Sequence, residues 1–118
     1  GMISHGMLDH LHDTDLLVLE ANYDETMLLY GPYTPDLKRR VHGKYGHLCN
    51  DVAMKALTAM RRPADMEVIF GHRSEHNNHI SIVDKLAHEL LERLRAQGEM
   101  GFTIQHGDPK EYTSMGVR

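Results

Sequence analysis

The sequence is poor in the residues that staple a chain, span a bilayer or coat a polyanion. It holds a single cysteine, Cys49, so no internal disulfide framework is open to it, and a lone thiol fits a reducing, cytoplasmic setting. No apolar run approaches the ~20 residues of a membrane helix. No charged-then-apolar leader opens the chain, and no membrane partner is expected. Basic residues are in deficit, 13 Lys and Arg against 17 Asp and Glu for a net charge of −4, which excludes a protein that coats nucleic acid through general basicity. Internal repeats and low-complexity linkers are absent. At 118 residues the chain is long enough for one modest core and too short for two. Gly1 before Met2 reads as the remnant of a cleaved tag and stands outside the fold.

What is abundant is histidine, ten residues of it. Such an excess suggests metal or phosphate chemistry, although several of the ten belong to the surface. One local basic stretch, Lys38-Arg39-Arg40 with Lys44, interrupts the acidic average.

Hydrophobic spacing predicts alternating elements. Residues 5–12 form a helix capped by Ser4, with Met7, Leu8 and Leu11 facing inward. Leu16–Leu19 and Met66–Phe70 are apolar at consecutive positions, as strands covered on both faces are. Asp24 to Tyr30 reads as a short helix stopped by Gly31-Pro32. Thr34 caps a second helix with Pro35 at its first position, ending near Gly43. Asn50 is the natural cap of a helix over Asp51–Arg61 that Pro63 breaks. Ile80 to Ala96 predicts a long amphipathic helix closed by Gly98, with Ile82, Val83, Leu86, Leu90, Leu91 and Leu94 inward. Phe102-Thr103-Ile104 is a third strand, and the polar tail from Gly107 is loosely specified. The order α-β-α-α-α-β-α-β implies an α/β fold with a small, mainly parallel sheet flanked by helices. Functional groups then collect at the strand C-terminal ends, where Glu20, Asn22 and His72 fall.

Three clusters carry chemistry: Glu20-Ala21-Asn22-Tyr23-Asp24, Gly46-His47-Leu48-Cys49-Asn50 and Gly71-His72-Arg73-Ser74-Glu75-His76-Asn77-Asn78. With Gly31-Pro32-Tyr33 and Leu37-Lys38-Arg39-Arg40, they resemble one bacterial branch of the metallo-β-lactamase superfamily: exonucleases associated with a cell-wall two-component regulator. That branch runs roughly E-x-N-x-D, G-P-Y, K-R-R, G-H-L-S-N and H-L-S-x-x-N-N, and the resemblance covers about residues 7–105. It implies that residues 2–118 are one domain, the C-terminal half of an αββα sandwich. His72 then matches the last histidine ligand of a two-metal site, its loop oriented by Ser74 and Asn77. His47 matches a histidine that approaches the substrate phosphate, Glu20 and Asn22 line the same pocket, and Lys38, Arg39, Arg40 and Asn77 are candidate phosphate contacts.

The departures are as informative. Arg73 stands in the H-L-S triplet and Cys49 replaces the serine of G-H-L-S-N; Cys49 reads as a packing residue rather than a nucleophile. The branch's main signature, H-x-H-x-D-H, and its bridging aspartate have no counterpart. His5-Gly6-Met7-Leu8-Asp9-His10 spells H-x-M-x-D-H, but Met7 is no substitute for imidazole, and an inward-packing helix is the better reading. The parent family's zinc or manganese is therefore expected to be absent or weakly bound. The resemblance implies a truncated relative of metal-dependent phosphodiester hydrolases, inactive alone. The rival reading is a non-catalytic remnant that serves as a homo-oligomeric binding or assembly module. The partners implied are a second copy of the chain, a complementing N-terminal half and, weakly, nucleic acid.

Overall fold

Residues 1–107 are described by the structure, a computed structural model; the polar tail beyond Gly107 lies outside them. The elements are α1 (His5–Leu11), β1 (Leu16–Glu20), α2 (Glu25–Tyr30), α3 (Pro35–His42), α4 (Asn50–Ala59), β2 (Glu67–Gly71), α5 (Ile80–Ala96) and β3 (Thr103–His106). The predicted order is the observed one. The sheet runs β1-β2-β3, and both pairings are parallel. Among the described residues no helix is long and apolar enough to cross a membrane.

The helix starts follow local chemistry. Ser4, Asp24 and Thr34 each accept a hydrogen bond from a backbone N–H of the first turn, satisfying donors that the helix leaves orphaned. Asn50 corrects the expected cap. It is the first residue of α4, whose cap position is Cys49 with no side-chain bond, because the Asn50 amide is used elsewhere. Gly98, at φ +71, takes the left-handed turn that ends α5.

One face of the sheet carries the core. Leu17 and Leu19 of β1 pair in register with Val68 and Phe70 of β2. They pack with Ala53, Leu57, Val83, Ala87, Leu90 and Leu94 of α4 and α5. The opposite face is open along β1, as a lone half of a sandwich would leave it. Leu16 is 53% and Val18 40% exposed, while Ile69 beside them is buried. Glu67, Thr103 and Gln105 share that face by alternation and are exposed. β1 is thus covered on one side only, and its apolar run is longer than its burial requires. Met7 likewise lies exposed while Leu8 and Leu11 reach the core.

Arg62 holds the end of α4, a role that spacing does not reveal. Its side chain is 5% exposed and pairs with Glu99 at 3.0 Å. Its guanidinium donates to the carbonyls of Leu57, Thr58 and Met60, acceptors that the helix terminus would otherwise leave open, and to that of Met100. Arg62→Leu, which keeps apolar bulk but strands these carbonyls, is expected to cost roughly 2–3 kcal/mol. Urea unfolding of the two proteins measures it.

Candidate active site

The segment Ala21–Asp24, leaving the end of β1, is clamped between two loops. Asn22 N donates to Leu48 O at 2.9 Å, Asn50 N to Tyr23 O at 2.9 Å, Asp24 N to Asn77 O at 2.8 Å and Ser74 N to Asn22 O at 2.8 Å. The clamp closes on a buried pair of amides. Asn50 Nδ2 donates to Asn78 Oδ1 at 2.9 Å, and Asn78 Nδ2 returns a bond to Asn50 Oδ1 at 2.8 Å. Asn78 also donates to Ala21 O and accepts from His79 N, each at 2.9 Å. Below lies a second small core of Tyr23, Leu28, Val41 and Cys49.

On this base sits a groove of about 350 Å³, lined by Asn22, Tyr33, Leu37, Val41, His47, Ser74, Glu75 and His76. His47 is about half exposed, and its Nδ1 lies 2.8 Å from Glu20 Oε1. The same oxygen accepts the Leu48 N–H at 2.9 Å. A carboxylate that already accepts a backbone donor fixes the tautomer of the ring: Nδ1 carries the proton and donates, leaving Nε2 as the reactive atom. Gly46 makes the approach feasible, since a Cβ there would sit 2.2 Å from Val41 O. Asn22 Nδ2 donates to the carbonyl of His72, which has φ +52 at the end of β2. A non-glycine residue held in that region marks a locally constrained turn.

Three of the motif residues, Glu20, Asn22 and His47, are thus brought together, and His72 stands at the next strand end. The others divide. Asn77 is 1% exposed, its Oδ1 2.9 Å from where a Cβ on Gly31 would lie; burial removes it from ligand contact and makes it part of the scaffold. Lys38 donates to Leu29 O at 2.7 Å, tying α3 to the end of α2. Arg39 pairs with Asp36, and Arg40 is exposed. His79 is the cap of α5, accepting from Ser81 N at 3.1 Å. The His5–His10 stretch is the exposed helix α1. Burial pushes the Cys49 thiol up, against a thiolate role. Tyr33, Glu75 and His76, which the sequence marked only as parts of motifs or solvated loop, prove to line the groove. A larger concavity of about 980 Å³ lies between α4 and α5, with Asp51, Lys55, Glu89 and Glu92 among its lining. It is mixed in charge and lined by residues of these two helices, not by those of the strand ends. Among the described residues no group of three or more His, Cys, Asp or Glu is placed to hold a metal.

Fold and groove together define a parallel α/β protein with a carboxylate-braced histidine at its strand ends. The chain is similar to Exodeoxyribonuclease WalJ of Streptococcus pneumoniae serotype 2 strain D39, 30% identical over 104 residues, which are 88% of this chain and 37% of the relative. It is also 28% identical over 115 residues to Exodeoxyribonuclease YycJ of Bacillus anthracis, covering 98% of this chain and 44% of that protein. Over most of its length the chain is thus homologous to proteins named as exodeoxyribonucleases, which supports the resemblance its motifs carry. It spans less than half the length of these curated relatives. No family model matches it, and no solved structure matches it significantly.

Burial of Tyr23 beneath the groove pushes its hydroxyl up to about 12. A folded-state value above the ordinary 10 favours the neutral form in the fold. Its contribution is complete below pH 10 and is lost as pH rises from 10 toward 12, about 2–3 kcal/mol in all. Tyr23→Phe is expected to flatten the alkaline limb of a stability–pH curve followed by urea unfolding.

Proposed function

We propose that this chain carries the phosphate-handling part of a metal-dependent phosphodiester hydrolase acting on nucleic acid, and that it does not hydrolyse phosphodiesters alone. The observation that supports this most directly is His47. Its Nδ1 is fixed by Glu20, and it lines the groove beside Asn22. In the neutral ring Nε2 accepts a proton; in the charged ring it donates to a phosphate oxygen. Asn22, whose amide is held at the next strand end, completes that wall. The exodeoxyribonuclease names of the two relatives support a nucleic acid as the ligand.

The parent family's zinc or manganese does not fit the described residues as a complete site. Catalytic zinc takes about three protein ligands, and among the described residues no group of three such donors is placed to supply them. His72 is proposed as a single ligand of a site whose remaining donors come from a complementing N-terminal half. Leu16 and Val18, exposed on the bare face of edge strand β1, support contact of that face with such a half or with a second copy. For the isolated chain a homodimer is proposed. The rival, a non-catalytic binding module, shares the groove and differs only in lacking a complementing half.

The first test is binding of a short deoxyoligonucleotide. It is expected to be weak and to fall steeply with salt, because phosphate contacts release counterions. His47→Ala should lower affinity about tenfold, and charge reversal at Arg39 and Arg40 should reduce the salt slope. Binding insensitive to salt and to all three changes would sink the reading. In elemental analysis the isolated chain is expected to hold well under one zinc, and His72→Ala to remove any that is bound; two tightly held metals per chain would contradict the single-ligand assignment. Sedimentation is expected to give twice the 13.5 kDa chain mass, and a stable monomer at micromolar concentration would exclude the homodimer.

A further inference from the structure

The phosphate reading accounts for Asn22 and His47 and leaves an aromatic part of the groove wall without a role. That part is Tyr33 and His76, whose rings meet edge to face with centroids 6.2 Å apart. Tyr33 is half-buried against the small core and so is held in place, whereas His76 is exposed. An aromatic surface of this kind beside a phosphate-binding imidazole suits a nucleobase, because every base has a face that stacks on an aromatic ring. Glu75 lines the same groove. A carboxylate there repels a second phosphate, but it accepts a hydrogen bond from the exocyclic amine of cytosine or adenine. The volume of about 350 Å³ lies at the small end of ligand sites; it accommodates one nucleotide and not a base pair.

We propose that the groove takes one unpaired nucleotide, its base against the Tyr33–His76 wall and its phosphate at His47 and Asn22. The inference rests on the phosphate-handling reading of His47 and adds the class of nucleic acid: a single-stranded segment, since a paired base would first have to leave its stack to enter. Arg40, exposed and one helical turn from the groove residue Leu37 on the same side of α3, is placed to meet the next phosphate along the strand. Lys38 and Arg39, engaged by Leu29 and Asp36, are less free to do so.

The test compares three ligands on the full chain by fluorescence anisotropy: a short single-stranded deoxyoligonucleotide, an abasic strand of equal length, and a blunt duplex. The single strand is expected to bind about tenfold more tightly than either competitor, the scale of one stacked base. Tyr33→Leu, and independently the surface change His76→Ala, should erase that preference while leaving abasic binding intact. Tyr33→Phe should keep it. Equal affinity for base-bearing and abasic strands, equal affinity for the duplex, or a preference that survives both substitutions overturns the base pocket. In those cases abasic binding that His47→Ala still weakens leaves the phosphate reading standing. Absence of binding to all three ligands removes both.

Discussion

The structure around the groove depends on two asparagines that face each other where no water reaches. Asn50 and Asn78 exchange amide bonds at 2.9 and 2.8 Å, and Asn78 adds a bond to Ala21 O. An unpaired amide buried in this way costs on the order of 1–3 kcal/mol, so neither loop can move without stranding the other's polar atoms. The pair thereby joins the start of α4, the end of β1 and the approach to α5. Those are the three places from which Glu20 and Asn22, His47, and His72 to His76 project. A groove built from three loops becomes a fixed shape because its base is a satisfied polar network rather than a slippery apolar contact.

That rigidity gives the histidine its meaning. An exposed imidazole on a mobile loop would sample many orientations. His47 is confined by Glu20, which is itself held by the Leu48 N–H, so the ring presents one nitrogen outward. The Tyr33–His76 pair is set by the second small core through Tyr33. His47 and the Tyr33–His76 pair line one groove, each supported by a different part of the same packing.

Half of the ten histidines are tied up in caps, pairs and tethers. His12 accepts from Arg61 N, His79 caps α5, and His42 lies 3.6 Å from Glu25. His88 and His106 both meet Asp84, at 3.3 and 2.9 Å; the carboxyl is held below its ordinary range chiefly by the His106 hydrogen bond. Composition drew attention to metal chemistry, yet only three-dimensional neighbours separate a cap or a tether from a ligand. The same holds for Lys38 and Arg39, whose motif positions suggested phosphate contacts and whose side chains pair with Leu29 O and Asp36, and for Asn77, which is buried.

By itself the sequence determined the elements and their order, since caps such as Ser4, Asp24 and Thr34 and the spacing of apolar residues act within a turn or two of chain. It also determined the parallel sheet and its relatives, because alternating strands and helices leave few topologies and the motif blocks keep their order along the chain. What only the tertiary structure decided is which residues meet across long separations. That Asn50 faces Asn78 instead of capping α4, that Arg62 closes the end of α4, and that β1 is bare on one side are outcomes of packing between distant segments. So is the meeting of Tyr33 with His76 in the groove that His47 also lines. Local propensity is blind to such contacts, because they are settled by the competition of every buried polar and apolar group for the same limited interior.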